Sequence, residues 1–286
     1  MTLIYDDRAC ELGEGPLWHP ERQQLFWFDI TGQRLLTVEN GTPAEWHFNE
    51  CVSAAGWVDE TRFLIASETA LFLFDLQSGK REHIVDLEAD NPATRSNDGR
   101  ADPWGGFWIG TMGKAAQPGA GAIYRYYRGE LRKVVAGIMV PNAISFPPHG
   151  SFMCYTDSPT HIVMRLELDE ATGWPVGEAT PWLDLSADGL IPDGAVFDED
   201  GNFWVAQWGA ARVAGYDKDG QFLRAYSVPG QHSSCPAFGG ADMRDLFCTS
   251  ARQGLSSDDI AAIAENGMTF YHADVAKGQS EARVIL

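Results

Sequence analysis

Six similar segments recur along this 286-residue chain at intervals of 39 to 51 residues. They begin at Glu14, Ser53, Asn97, Asn142, Asp193 and Ser234. Each runs five residues to an aromatic or apolar position, turns, and re-enters an apolar run. Glu14-Gly-Pro-Leu-Trp18 leads to Leu25–Phe28, and Asp193-Gly-Ala-Val-Phe197 leads through Asp198-Glu-Asp-Gly201 to Phe203–Ala206. Asn97 to Ala101 leads to Phe107–Ile109, and Asn142 to Phe146 leads to Phe152–Tyr155. Ser53 to Trp57 and Ser234 to Phe238 precede Phe63–Ala66 and Leu246–Cys248. Two further strands usually follow. In the fifth copy they lie near Ala211–Tyr216 and Gln221–Val228, joined by the hairpin signal Asp217-Lys-Asp-Gly220. Four antiparallel strands at this period are the mark of a propeller blade. The expected fold is all-β, a six-bladed β-propeller with four antiparallel strands per blade, as a single domain over residues 1–286. Thr2–Tyr5 and Arg283–Leu286 both read as strands, and their pairing is expected to close the ring. One segment departs from the repeat: Ser256–Glu265 reads as a short helix with Ser256 as N-cap, inserted in the sixth blade.

Four residues before the aligned apolar position, every copy is polar: Glu14, Ser53, Asn97, Asn142, Asp193 and Ser234. The first strand of a propeller blade lines the central channel, so these six groups converge at one level. Two carboxylates in one desolvated space repel each other. Either the groups bond to channel water and neighbouring backbone, which is the expectation for the two serines, or a divalent cation offsets the repulsion. Oxygen-only donors suit Ca²⁺, Mg²⁺ or Mn²⁺ and permit Zn²⁺, while the absence of histidine from the slots speaks against a closed tetrahedral zinc site.

At these residues the chain resembles the SMP-30/gluconolactonase (regucalcin-like) family of sugar lactonases. The resemblance rests on Leu12-Gly-Glu-Gly-Pro-Leu-Trp18, Arg95-Ser-Asn-Asp-Gly99, Gly110-Thr-Met112, Pro141-Asn142, Tyr155-Thr-Asp-Ser158, Ile191-Pro-Asp-Gly194, Phe238-Gly-Gly240 and Thr249-Ser-Ala-Arg252, in order and at propeller spacing. It implies a six-bladed propeller holding one divalent ion on Glu14, Asn142 and Asp193. It implies substrate binding by Arg95 and Asn97, with Asp98 beside them to orient them. Asn97 is expected to meet the metal through water or to hold the ligand. Two departures stand out. Ala143 replaces a frequent glycine, which should change little. Gly113-Lys-Ala-Ala116 lacks the carboxylate with which some members reach the sugar, so substrate preference does not carry over.

The implied reaction is hydrolysis of a sugar lactone to its open-chain acid, with the metal polarising the carbonyl and Asp193 as general base. Two alternatives keep the same site: hydrolysis of another ester or a phosphotriester, and a non-catalytic calcium-binding regulatory propeller. Other hydrolytic chemistry finds no support, because no GxSxG elbow is present. His161 and His232 fall near loop ends that border the mouth, and are expected to be surface or packed residues. Trp208 is a candidate rim residue for stacking on a sugar face. Asp198-Glu-Asp-Gly201 and Asp217-Lys-Asp-Gly220 resemble the start of an EF-hand loop but lack its terminal glutamate, and are read as hairpin turns.

Composition bounds the partners. A formal net charge of −19 repels polyanions, so nucleic acid is not an expected partner. No apolar run reaches membrane-span length, and the start MTLIYDD has no leader pattern, so a soluble cytoplasmic protein is expected, as a monomer or small homo-oligomer. Five dispersed cysteines without a CxxC pair are expected to be mostly buried thiols, not disulfides or zinc ligands.

Overall fold

The computed structural model describes residues 2–148 and 150–286. Among the described residues, twenty-four strands form six four-stranded antiparallel sheets, the blades of a β-propeller. The first strands are Gly13–His19, Val52–Trp57, Thr94–Ala101, Pro141–Ser145, Ile191–Phe197 and His232–Gly239. These contain the six repeated segments. The second strands, such as Gln24–Asp29 and Phe203–Trp208, are almost wholly buried because both faces pack against neighbouring blades. Apolar residues therefore run on without strict alternation, as in Leu25-Phe-Trp-Phe28. The core lies in the wedges between blades. Trp27, Trp108 and Trp204 occupy three of these wedges and are at most 2% exposed. Each large apolar side chain buried in this way contributes roughly 2–3 kcal/mol.

The turns between first and second strands reuse one device. The Asp198 carboxylate accepts from the backbone N–H of Asp200 (3.0 Å) and Asn202 (2.8 Å) and from Trp204 Nε1 (2.9 Å). Asp102 does the same for Trp104 N (2.9 Å), Gly106 N (2.8 Å) and Trp108 Nε1 (2.8 Å). One aspartate thus closes the turn and anchors the blade's buried indole. In Asp217–Gly220 the Asp217 carboxylate likewise accepts from Asp219 N and Gln221 N, both at 2.9 Å. The calcium-loop look-alikes are hairpin turns.

Ring closure differs from the expected pairing. The last blade takes its outermost strand from the N-terminus: Leu3–Asp6 pairs antiparallel with Thr269–His272, Leu3 opposite Tyr271. Arg283–Leu286 is not a strand. It ends a strap that crosses the propeller at the end where first strands finish. Gly278 N donates to Met243 O (2.7 Å), Gln279 Nε2 to Phe146 O (3.2 Å) and Phe197 O (3.3 Å), Val284 N to Trp57 O (2.9 Å), and Ile285 N to Gly105 O (2.9 Å). The apolar pattern at the C-terminus reports burial, with Val284 1% exposed between the second and third blades. Burial against other blades and burial by strand pairing leave the same trace in sequence.

The inserted helix is Ser257–Ala262, capped by Ser256. Ser256 Oγ accepts from Asp259 N (3.1 Å), and the Asp259 carboxylate accepts from Ser256 N (3.1 Å), a reciprocal capping box. No helix of the described residues is long and apolar enough to cross a membrane. All five cysteines are free thiols, and all but Cys51 are buried.

Candidate active site

The end of the channel opposite the strap carries a cavity of about 450 Å³, within the range of small-molecule pockets. Its floor is built by Glu14, Arg95, Asn97, Asn142 and Asp193. A local irregularity puts them there. In all six blades the first strand bulges at the polar slot. Register with the second strand shifts between Glu14 and Leu17, Val52 and Ala54, Ser96 and Gly99, Asn142 and Ser145, Pro192 and Ala195, and Ser233 and Pro236. A bulge places extra residues against one partner and re-aims their side chains. Here it turns a polar group toward the cavity in four of the blades. The backbone bends sharply to do so, with Gly15 at φ 53° and Ala143 at φ 55°. Ala143 is thus more than a neutral replacement for glycine: it holds a fully buried left-handed conformation that costs roughly 1–2 kcal/mol.

Four of the six slot residues face the cavity. The serines do not. Ser53 Oγ donates to Ser96 Oγ (2.8 Å), and Ser234 Oγ donates to Gly13 O (2.5 Å), so both stitch blades together. The polar floor forms a directed chain. Arg95 Nη1, which can only donate, bonds to Asn97 Oδ1 (2.7 Å) and Ser96 O (2.8 Å). Asn97 must then present its amide nitrogen to Asn142 Oδ1 (2.7 Å) and Pro141 O (2.9 Å). Asn142 in turn donates through Nδ2 to Ser158 Oγ (2.8 Å), whose hydroxyl donates to Pro192 O (2.7 Å). The chain spans blades three to five and fixes Asn142 with its oxygen on the Asn97 side.

The carboxylates are under electrostatic stress. Glu14 and Asp193 are 6% and 4% exposed. Burial, then the nearby Asp98 charge, pushes Glu14 up to about 8, against one backbone N–H from Gly15 and the Arg95 guanidinium. Burial and the Glu14 and Asp98 charges push Asp193 well above the carboxylate range, with Arg95 and the Asn142 amide acting the other way. One cation, Arg95, therefore faces more negative charge than it balances.

Asp98, expected beside Arg95 and Asn97 with the substrate-binding residues, does not line the cavity. Its Oδ2 accepts from Ile144 N (2.8 Å) in the next blade's bulge, and burial lifts it to about 6. Adjacent strand residues point to opposite faces, so the turn that aims Asn97 at the axis aims Asp98 into the seam. Its influence on the floor is through charge.

Most of the remaining wall carries no sequence signal beyond the rim candidates Trp208 and His161. Leu12, Val140 and Ile191 stand at the starts of first strands, and Met112, Ala116, Ser158, Pro159, His161, Trp208 and Gln253 stand at or just beyond the ends of second strands. Ile191 lies directly opposite Trp208 in the sheet. Trp208 is on the rim as anticipated, and His161 borders the cavity with Nδ1 bonded to Leu190 O (2.8 Å). His232 stacks behind Trp208, ring centroids 4.2 Å apart at 22°. Ser158 ends the Tyr155-Thr-Asp-Ser158 run, but only contact in the fold reveals its hold on Asn142.

Residues 12–252 match the family model described as SMP-30/Gluconolactonase/LRE-like region. The chain is 34% identical to the L-arabinolactonase of Azospirillum brasilense over 99% of its length and 94% of that protein. It is 32% identical to the 6-deoxy-6-sulfogluconolactonase of Pseudomonas putida over 91% of its length and 90% of that protein. Among solved structures it superposes on a calcium-binding protein, regucalcin, from Agrobacterium tumefaciens with a TM-score of 0.97 at 38% identity, covering 99% of this chain and 97% of that one. Matched over most of its length by the family model, and alike in sequence and fold to these relatives, the chain belongs to the SMP-30/gluconolactonase/LRE-like family.

Proposed function

We propose that this lactonase opens a sugar lactone to its sugar acid with the aid of one divalent cation, the whole of residues 1–286 acting as one domain. The observation that carries the reading is the pair of buried carboxylates, Glu14 and Asp193, set beside the oriented Asn142 oxygen with too little positive charge to balance them. A hard divalent cation fits this all-oxygen donor set and would be held by Glu14, Asn142 and Asp193. The similar regucalcin of Agrobacterium tumefaciens is described as calcium-binding, which agrees with a cation here. When bound, such an ion polarises a carbonyl oxygen and lowers the pKa of water.

The chain's own residues supply the rest. Arg95 spends Nη1 on Ser96 and Asn97, which leaves its other N–H groups free to fork onto lactone oxygens. Asn97, held between Arg95 and Asn142, positions hydroxyls near the lactone carbonyl. Asp193 takes the proton from the attacking water and hands it to the departing ring oxygen.

Acid release from a panel of sugar lactones, with Ca²⁺, Zn²⁺, Mn²⁺ and Mg²⁺ in turn, tests the reading. Hydrolysis of at least one lactone, abolished by chelator, is expected. Failure with every lactone and metal would sink it, and turnover of phosphotriesters alone would favour the other ester chemistry. Asp193→Asn should lower turnover by about 10²–10⁴-fold. If it kept full turnover with metal demonstrably bound, Asp193 would not be the base.

A further inference from the structure

The cavity has two levels of opposite character. Its floor is rich in donors and acceptors. Its wall is not: Leu12, Val140 and Ile191 from one set of strand ends, and Met112, Ala116 and Trp208 from the other, present carbon surface. The polar groups at wall level are few, and two of them are engaged, while the Gln253 side chain makes no hydrogen bond among the described residues. The Ser158 hydroxyl is used by Asn142 and Pro192, and His161 Nδ1 by Leu190 O. Lys114, on the turn that carries Ala116, is drawn aside to Glu68 (2.7 Å). The wall is also held in place. Trp208 stacks on His232, whose Nδ1 is tied to Gln253 O (3.0 Å).

Resting on the lactonase reading, we propose that this wall selects lactones of deoxy sugars, those whose carbon farthest from the carbonyl is a methyl group, with Trp208 as the specificity-determining platform. The lactone carbonyl and ring hydroxyls meet the polar floor. The far end is then pressed against a surface with few hydrogen-bonding groups. A hydroxymethyl there gives up water without replacement, whereas a methyl gains contact with Trp208 and Ile191.

The test is a matched pair of substrates, galactono-1,4-lactone and its 6-deoxy counterpart, differing in one hydroxyl. With metal-loaded protein, kcat/KM for the deoxy lactone should exceed that for the hydroxylated one by about tenfold or more, carried mainly by KM, since one hydroxyl in an apolar site discriminates by roughly 10–100-fold. Trp208→Ala should lower kcat/KM for the deoxy lactone and bring the ratio toward one. Trp208→Phe should keep most of the preference. Equal or faster hydrolysis of the hydroxylated lactone by the native chain would overturn the inference and leave the lactonase reading standing. If neither is hydrolysed, the two open-chain acids titrated against metal-loaded protein by calorimetry still decide: tighter binding of the deoxy acid supports the wall's role, and equal binding refutes it.

Discussion

The two ends of the channel are made of the same strands and obey different rules. At the strap end the buried charges find partners. Arg100 pairs with Glu281, both largely buried, and Trp57 Nε1 donates to the Glu281 backbone oxygen at 2.8 Å. At the mouth, Glu14 and Asp193 are as deeply buried and lack matching cations. Where a buried charge is paired, it serves stability or specificity of packing. Where it is left in excess, the protein carries an energetic load that the proposed cation would relieve. The contrast fits the proposed site at the mouth and leaves the strap end as the fastening.

Breaking the fastening should cost most. Glu281→Ala leaves the Arg100 guanidinium buried without its carboxylate, and Arg100 Nε already has no partner among the described residues. A loss of about 3–5 kcal/mol is expected in denaturant unfolding. Because the mouth is untouched, kcat/KM of the surviving folded protein should stay within about twofold of the native value. A lactonase defect larger than the stability defect would show that the two ends are coupled.

The mouth should respond with the opposite sign. In chelator, Asp193→Asn removes a carboxyl whose ionised form burial and the Glu14 and Asp98 charges disfavour, and should raise stability by about 1–3 kcal/mol, seen as a higher Tm. With a saturating divalent cation the order should invert, since the native chain gains binding energy that the variant forgoes. A variant less stable than the native chain under both conditions would mean that Asp193 is already satisfied.

A smaller effect separates the ends by pH. His19 ends the first strand of blade one on the strap side, fully buried. Its Nδ1 accepts from Arg22 N (3.3 Å), so Nε2 carries the proton and donates to Asp59 O (3.0 Å). Burial holds its pKa below the ordinary value. The unfolded chain therefore binds a proton near pH 6.5 that the native state refuses. The His19 contribution to stability should fall as the pH drops through about 6.5, by at most ~1.4 kcal/mol per pH unit, and level off below its native pKa. Thermal melts of the native chain and His19→Gln between pH 7.5 and 5 should differ in that slope. Parallel curves would remove His19 from the account.

What could be read from the sequence was what repeats. Six copies fixed the blade count, because each copy is one unit that must bury its faces against the next. The polar slot fixed which residues reach the axis, since Glu14, Asn97, Asn142 and Asp193 break apolar runs at equivalent places. Ser256 announced its helix through a local cap. Tertiary structure alone decided matters that depend on neighbours distant in the chain. The bulge that aims Asn97 at the axis sends Asp98 to Ile144. Ser53 and Ser234 share the slot's position but are consumed by adjacent blades. The apolar C-terminus pairs with no strand and instead straps the ring, while Leu3–Asp6 closes it. Periodicity records that a side chain is buried and on which face, because that is set by the residue's own strand. It does not record what it is buried against, because that is set by where the next blade comes to rest.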